Sequence, residues 1–113
     1  MATKNTRLAV GDRTYEMIRL VSWQAPPFHG AGLLKRADEV GADAGPEDKE
    51  YLLAHHAEIP PEQRLKFVLP KVPYPVDGRY VLTLVWYKDE MKEAWRNMND
   101  DYGPDYFLLR RVV

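Results

Sequence analysis

Cysteine is absent, which excludes disulfides, thiolate metal sites and a thiol nucleophile. The same absence favours a reducing, cytoplasmic setting. Serine occurs once, at Ser22, and without glycine flanks it makes no nucleophile elbow. Neither Gly-x-Gly-x-x-Gly nor a Gly-Lys-Ser/Thr phosphate loop occurs, so nucleotide binding by those two routes is excluded. No apolar run approaches the ~20 residues that cross a bilayer. The opening Met1-Ala-Thr-Lys-Asn-Thr-Arg7 has no apolar run behind it, so no signal peptide is expected. Repeats and low-complexity tracts are also missing.

What remains is an ordinary globular composition. Across 113 residues, 45% are hydrophobic and 29% charged, which argues against disorder and for one domain. A chain of this size buries roughly 65% of its unfolded surface, enough for one core without staples. The net charge is −1, but its distribution is uneven. Residues 1–36 carry a balance of +4, residues 37–58 of −6, and residues 59–113 of +1. Either the ends meet the acidic middle across the fold, or the basic N-terminal part faces an acidic partner.

The stretch Tyr80-Val-Leu-Thr-Leu-Val-Trp-Tyr87 organises the rest. Alternate side chains give one face of Tyr80, Leu82, Leu84 and Trp86, and another of Val81, Thr83, Val85 and Tyr87. Neither face carries charge, so this reads as a central strand, covered on one face by helices and at least partly on the other. Thr6–Val10, the Gly11-Asp12 turn and Arg13–Val21 read as a β-hairpin. Leu33–Val40 is a short helix stopped by Gly41, and Pro46 opens a second helix reaching Glu58, ended by Pro60-Pro61. Leu65–Leu69 is a strand broken at Pro70. Pro73 and Pro75 share one parity, which suits an edge strand. Asp77-Gly78 then turns into the central strand. Met91, Ala94, Trp95 and Met98 recur at helical spacing behind an Asp89 cap, which predicts a third helix. Tyr106–Val113 closes as a strand expected to pair with the central one.

The expected fold is therefore α+β: a single small domain, residues 1–113, in the order ββααββαβ. It has an antiparallel or mixed sheet of about five strands and three helices mostly on one face.

Candidate site residues are few. Two prolines and two glycines exclude a regular element from Trp23–Gly32, yet this loop carries Trp23, Phe28 and His29. These aromatics either plug the end of the sheet or line a binding surface, to which Tyr74 would add. His55 and His56 are adjacent, so on a helix they diverge by ~100° and do not share a metal. A functional version sets His29 beside His55 or His56, with Glu58 orienting an imidazole or abstracting a proton. Asn97–Asp105 is acidic, but its twelfth position is Leu108 rather than glutamate, so it reads as a solvated turn and not a calcium loop. Arg7, Arg13, Arg19, Arg79, Arg110 and Arg111 fall on predicted strands, the only cue for nucleic acid.

The leading expectation is a non-catalytic module that binds another protein through loop 23–32 and the Pro73–Val76 edge, or its own copy by adding an edge strand. No catalytic residue, metal or cofactor is assigned, and membrane and nucleic-acid partners are not expected. The alternative is a small enzyme or ligand-binding protein with a histidine-lined pocket. The third reading is nucleic-acid binding through a basic strand face.

Overall fold

In the computed structural model, residues 6–20, 28–72 and 80–112 are described. The elements are β1 (Thr6–Val10), β2 (Arg13–Arg19), β3 (Phe28–His29), α1 (Leu33–Val40), α2 (Pro46–Ala54), β4 (Lys66–Leu69), β5 (Tyr80–Tyr87), β6 (Glu90–Asn97), β7 (Asp101–Tyr102) and β8 (Tyr106–Val112). Short 3-10 turns occupy Gly30–Gly32, His56–Glu58 and Pro61–Gln63.

The hairpin forms as the sequence predicts. Gly11 takes a φ of 56°, which the first residue of a two-residue turn requires and glycine supplies without strain. Gly41 likewise ends α1 in the left-handed region, its N–H and that of Ala42 returning to α1 carbonyls. Pro46 opens α2, but the α-helix stops at Ala54, short of the expected Glu58.

The strands join in the order β1-β2-β8-β4-β5-β6, with β3 and β7 forming a separate two-stranded ribbon. All six-strand pairings are antiparallel except β4 with β8. Among the described residues the sheet is thus mixed and has six strands, one more than expected. The last strand does not pair with β5. It lies mid-sheet between β2 and β4, with Leu108 and Leu109 buried on opposite faces.

The predicted third helix is strand β6. Met91 and Trp95 are four apart, so they share a face in a helix and also in a strand. Pairing with β5 decides it: Trp86 faces Met91 and Leu82 faces Trp95 on one side, while Thr83 Oγ1 donates to the Ala94 carbonyl at 2.6 Å. Asp89 is not a helix cap but the second residue of the tight β5–β6 turn. Lys88, the first, sits at φ 58°, a region costly for a β-carbon. Lys88→Gly is expected to stabilise the fold by about 0.5–1 kcal/mol. A raised urea midpoint would show it; an unchanged or lowered one would contradict the strain.

Among the described residues there are two α-helices rather than three, and they are not on one face. Leu52 of α2 packs with Leu8, Tyr15, Met17, Phe67, Leu82, Leu84 and Phe107. Leu33 and Ala37 of α1 pack with Ile18, Val68, Val81, Tyr106 and Leu108. These two sets have opposite strand parity, so the sheet is covered on both sides. The result is a small compact α+β domain, with a radius of gyration of 13.2 Å. The Pro73–Val76 segment lies outside the described residues. Its flanking strands, β4 and β5, are both interior, and among the described residues the edges of the sheet are β1 and β6.

Candidate functional site

Loop 23–32 is partly regular, contrary to expectation. Phe28 and His29 pair with Tyr102 and Asp101 in the ribbon. Tyr102 anchors it: the ring is 0% exposed, stands edge-on to Tyr106, and its hydroxyl donates to the Asn97 carbonyl. Gly30 N–H donates to the Asp100 carbonyl at 2.9 Å. On this base Phe28 is half-buried against the α1 face of the core. His29 points outward, its Nδ1 3.2 Å from Asp101 Oδ1, with side chains 62% and 67% exposed. Trp23 and Tyr74 lie outside the described residues.

His55 and His56 are placed elsewhere, at the end of α2 against the opposite sheet face. The structure therefore does not bring His29 to them. It does bring Glu58 to His55, Oε2 to Nδ1 at 2.5 Å. The His55 ring stacks on Tyr51 at 4.3 Å between centroids, and the Arg13 guanidinium lies 4.5 Å from the Tyr51 ring centre. His56 Nδ1 contacts the Leu53 carbonyl at 2.8 Å, and its ring stands edge-on to Trp86. The two rings diverge, as adjacency dictates. Among the described residues no group of three metal-ligating side chains assembles.

A carboxylate outside the predicted site residues is buried and accepts three hydrogen bonds. Asp48, 2% exposed, lies in the first turn of α2. Its Oδ1 accepts from Tyr15 Oη at 2.7 Å and Arg13 Nη1 at 3.0 Å, with Arg111 Nε 3.6 Å away. Its Oδ2 accepts from Gly45 N–H at 2.9 Å. One buried anion so ties β2, α2 and β8. Beside it is an open cleft of about 380 Å³ lined by Asp43, Gly45, Pro46, Glu47, Asp48 and Arg111. Asp43 Oδ1 accepts the Arg111 N–H, so the cleft wall is itself stapled to β8.

Among the described residues the strand arginines form no open basic patch. Arg13 and Arg111 turn to Asp48, Arg110 to Glu16 at 2.6 Å, and Arg19 to the Pro104 carbonyl. Arg110 and Arg111 occupy opposite faces, and Arg79 lies outside the described residues. The acidic turn is partnered too: Asp100 with Arg96, Asp101 with His29, and Asp105 with Lys66. Among the described residues, no helix is long and apolar enough to cross a membrane. No family model, no curated protein and no solved structure matches the chain.

Burial raises the Tyr102 hydroxyl from its ordinary 10.0 to about 12, and raises Tyr15 too, where the Asp48 hydrogen bond adds to it. A phenol whose folded pKa lies above its unfolded value favours folding only while both states are neutral. The unfolded chain deprotonates first, so stability holds below pH 10 and falls from there towards pH 12. For Tyr102 alone this loss is about 3 kcal/mol at its limit. Denaturation followed across that window in wild type and Tyr102→Phe tests it. The variant is expected to show the shallower alkaline decline; equal slopes would contradict the assignment.

Proposed function

We propose that the chain is a non-catalytic module that binds another protein or its own copies, with the β3–β7 ribbon as a contact surface. One observation carries this reading. The ribbon is pinned from below by buried Tyr102, and it holds His29 and Asp101 side by side, outward, next to half-buried Phe28. Polar tips fixed on a rigid base beside an aromatic give orientation at low entropic cost. Trp23 and Tyr74 belong to the same proposal by composition. A photo-crosslinking residue at position 29, used in the native host, is the test. A discrete protein adduct is expected, lost on Phe28→Ala and absent from a probe at exposed position 39. The same adducts from both positions, or none, would sink the reading.

A second reading is supported by the His55–Glu58 contact. A carboxylate on Nδ1 sets the imidazole's orientation and tautomer, as a general base or ligand-binding histidine requires. Small-molecule pools screened by backbone amide shifts test it. Clustered shifts over residues 48–58, abolished by His55→Gln, would favour a ligand site; an unmoved spectrum would remove it.

A further inference from the structure

We infer that edge strand β1 is the surface through which two copies of this chain associate, paired antiparallel about Leu8. This rests on the binding and assembly reading and names the strand and register for self-association.

The direction of the main-chain groups follows from the ladder. Leu20 N–H donates to the Tyr106 carbonyl, continuing the β2–β8 pairing through even-numbered β2 residues. Odd-numbered Arg13, Tyr15 and Met17 therefore bond Val10, Leu8 and Thr6 of β1. Arg7 and Ala9 are left with N–H and C=O turned away from β2. A second observation agrees: the Gln63 side chain, from the turn after α2, donates to the Arg7 carbonyl at 2.9 Å. An amide side chain stands there where a strand N–H would stand. Among the described residues, Ala9 has no main-chain partner on that side.

The two edges of the sheet are built differently. Exposed β6 carries Glu90, Lys92 and Glu93, with a Glu90–Lys92 ion pair at 2.8 Å and Lys49 reaching Glu93 at 2.9 Å. The turn at His56–Glu58 packs against it as well. Charges and cover of this kind block strand addition. β1, in contrast, has no proline, no lysine and no bulge, and its one charge is Arg7. An antiparallel edge is also complementary to its own two-fold image. With Leu8 opposite Leu8 of the second copy, Arg7 and Ala9 of each chain exchange main-chain hydrogen bonds with Ala9 and Arg7 of the other. Small Ala9 leaves room for Arg7 beside it, and Gln63 is displaced.

Analytical ultracentrifugation over a concentration series tests this on the full chain. Wild type is expected to dimerise with concentration. Ala9→Pro removes only an outward N–H, so the fold by circular dichroism stays while the dimer is lost over the measured range. Gln63→Ala frees the Arg7 carbonyl and tightens the dimer by about tenfold. A second measurement does not depend on the proline variant folding. The chain has no cysteine, so Arg7→Cys and Ala9→Cys chains, mixed and oxidised, are expected to form the mixed disulfide over either self-disulfide. A monomer at every concentration overturns the inference, as does a mixture with no preference for the mixed disulfide. A wild-type dimer that both folded Ala9→Pro and Gln63→Ala leave unchanged also overturns it, while keeping assembly through another surface. Adducts at position 29 report on the ribbon independently of all these outcomes.

Discussion

Asp48→Ala is expected to lower the unfolding free energy by about 3–5 kcal/mol, the cost of removing one partner from a buried ion pair. Small domains hold only about 5–15 kcal/mol in total, so the variant should sit near the edge of folding. The physical cause is what stays behind. Tyr15 Oη, 0% exposed as a residue, loses its acceptor, Arg13 loses its counter-charge, and Gly45 N–H at the start of α2 loses its cap. Asp48→Asn keeps an acceptor of similar shape and loses the charge, so its cost should fall between the two. Urea titration of the three proteins gives the order. An alanine variant within about 0.5 kcal/mol of wild type, the usual scale of surface changes, would show that the knot does not hold α2 to the sheet.

Gly30→Ala is the second large effect, expected to cost about 2–3 kcal/mol by overpacking. A β-carbon at Gly30 would overlap the Met98 carbonyl oxygen and stand 2.8 Å from Tyr102 Cε2. Met98 presents backbone there, so no rotamer change relieves the clash. The β3–β7 ribbon has to lift, and with it the His29–Asp101 contact. Gly32→Ala is the matched control: its β-carbon would meet the Phe28 ring at ordinary contact, 3.5 Å from Cζ and 4.0 Å from Cε1. Thermal unfolding should drop by about 10 °C for Gly30→Ala and little for Gly32→Ala. Equal melting of the two would contradict the close approach.

The parts of the fold legible in the sequence are those with local punctuation. Gly11-Asp12, Gly41 and Pro46 each mark a boundary by backbone chemistry, and each boundary is where they put it. The uncharged run Tyr80–Tyr87 reads correctly as an interior strand, because burial on both faces leaves no wet side to signal. The β5–β6 turn has no such mark. Lys88-Asp89 lacks the glycine or asparagine of a tight turn, and Glu, Met, Lys and Ala around it favour helix by propensity. Pairing with β5 overrides that preference. Strand order was equally out of reach, since placing β8 between β2 and β4 depends on partners far away in the chain.

The site divides in the same manner. The contact of Glu58 with His55 was within reach, because they stand three positions apart in the chain. Asp48 was missed because a first-turn acid is explained by the helix dipole alone. Its partners Arg13, Tyr15 and Arg111 are distant in sequence, and the one available signal was Gly45 three residues before it, which leaves a helix start without a side-chain cap. The edge strand that proline parity predicts at Pro73–Val76 lies outside the described residues. Among the described residues the edges are β1 and β6, where no proline marks them.

The placement of β8 underlies the account, because it joins the hairpin that carries Asp48's partners to the β4–β5–β6 half of the sheet. Nuclear Overhauser contacts between backbone protons test it most directly. The structure predicts antiparallel contacts from Met17 to Leu109 and parallel contacts between Val68 and Leu108. Contacts from β8 to β5 instead, with none to β4, would contradict it.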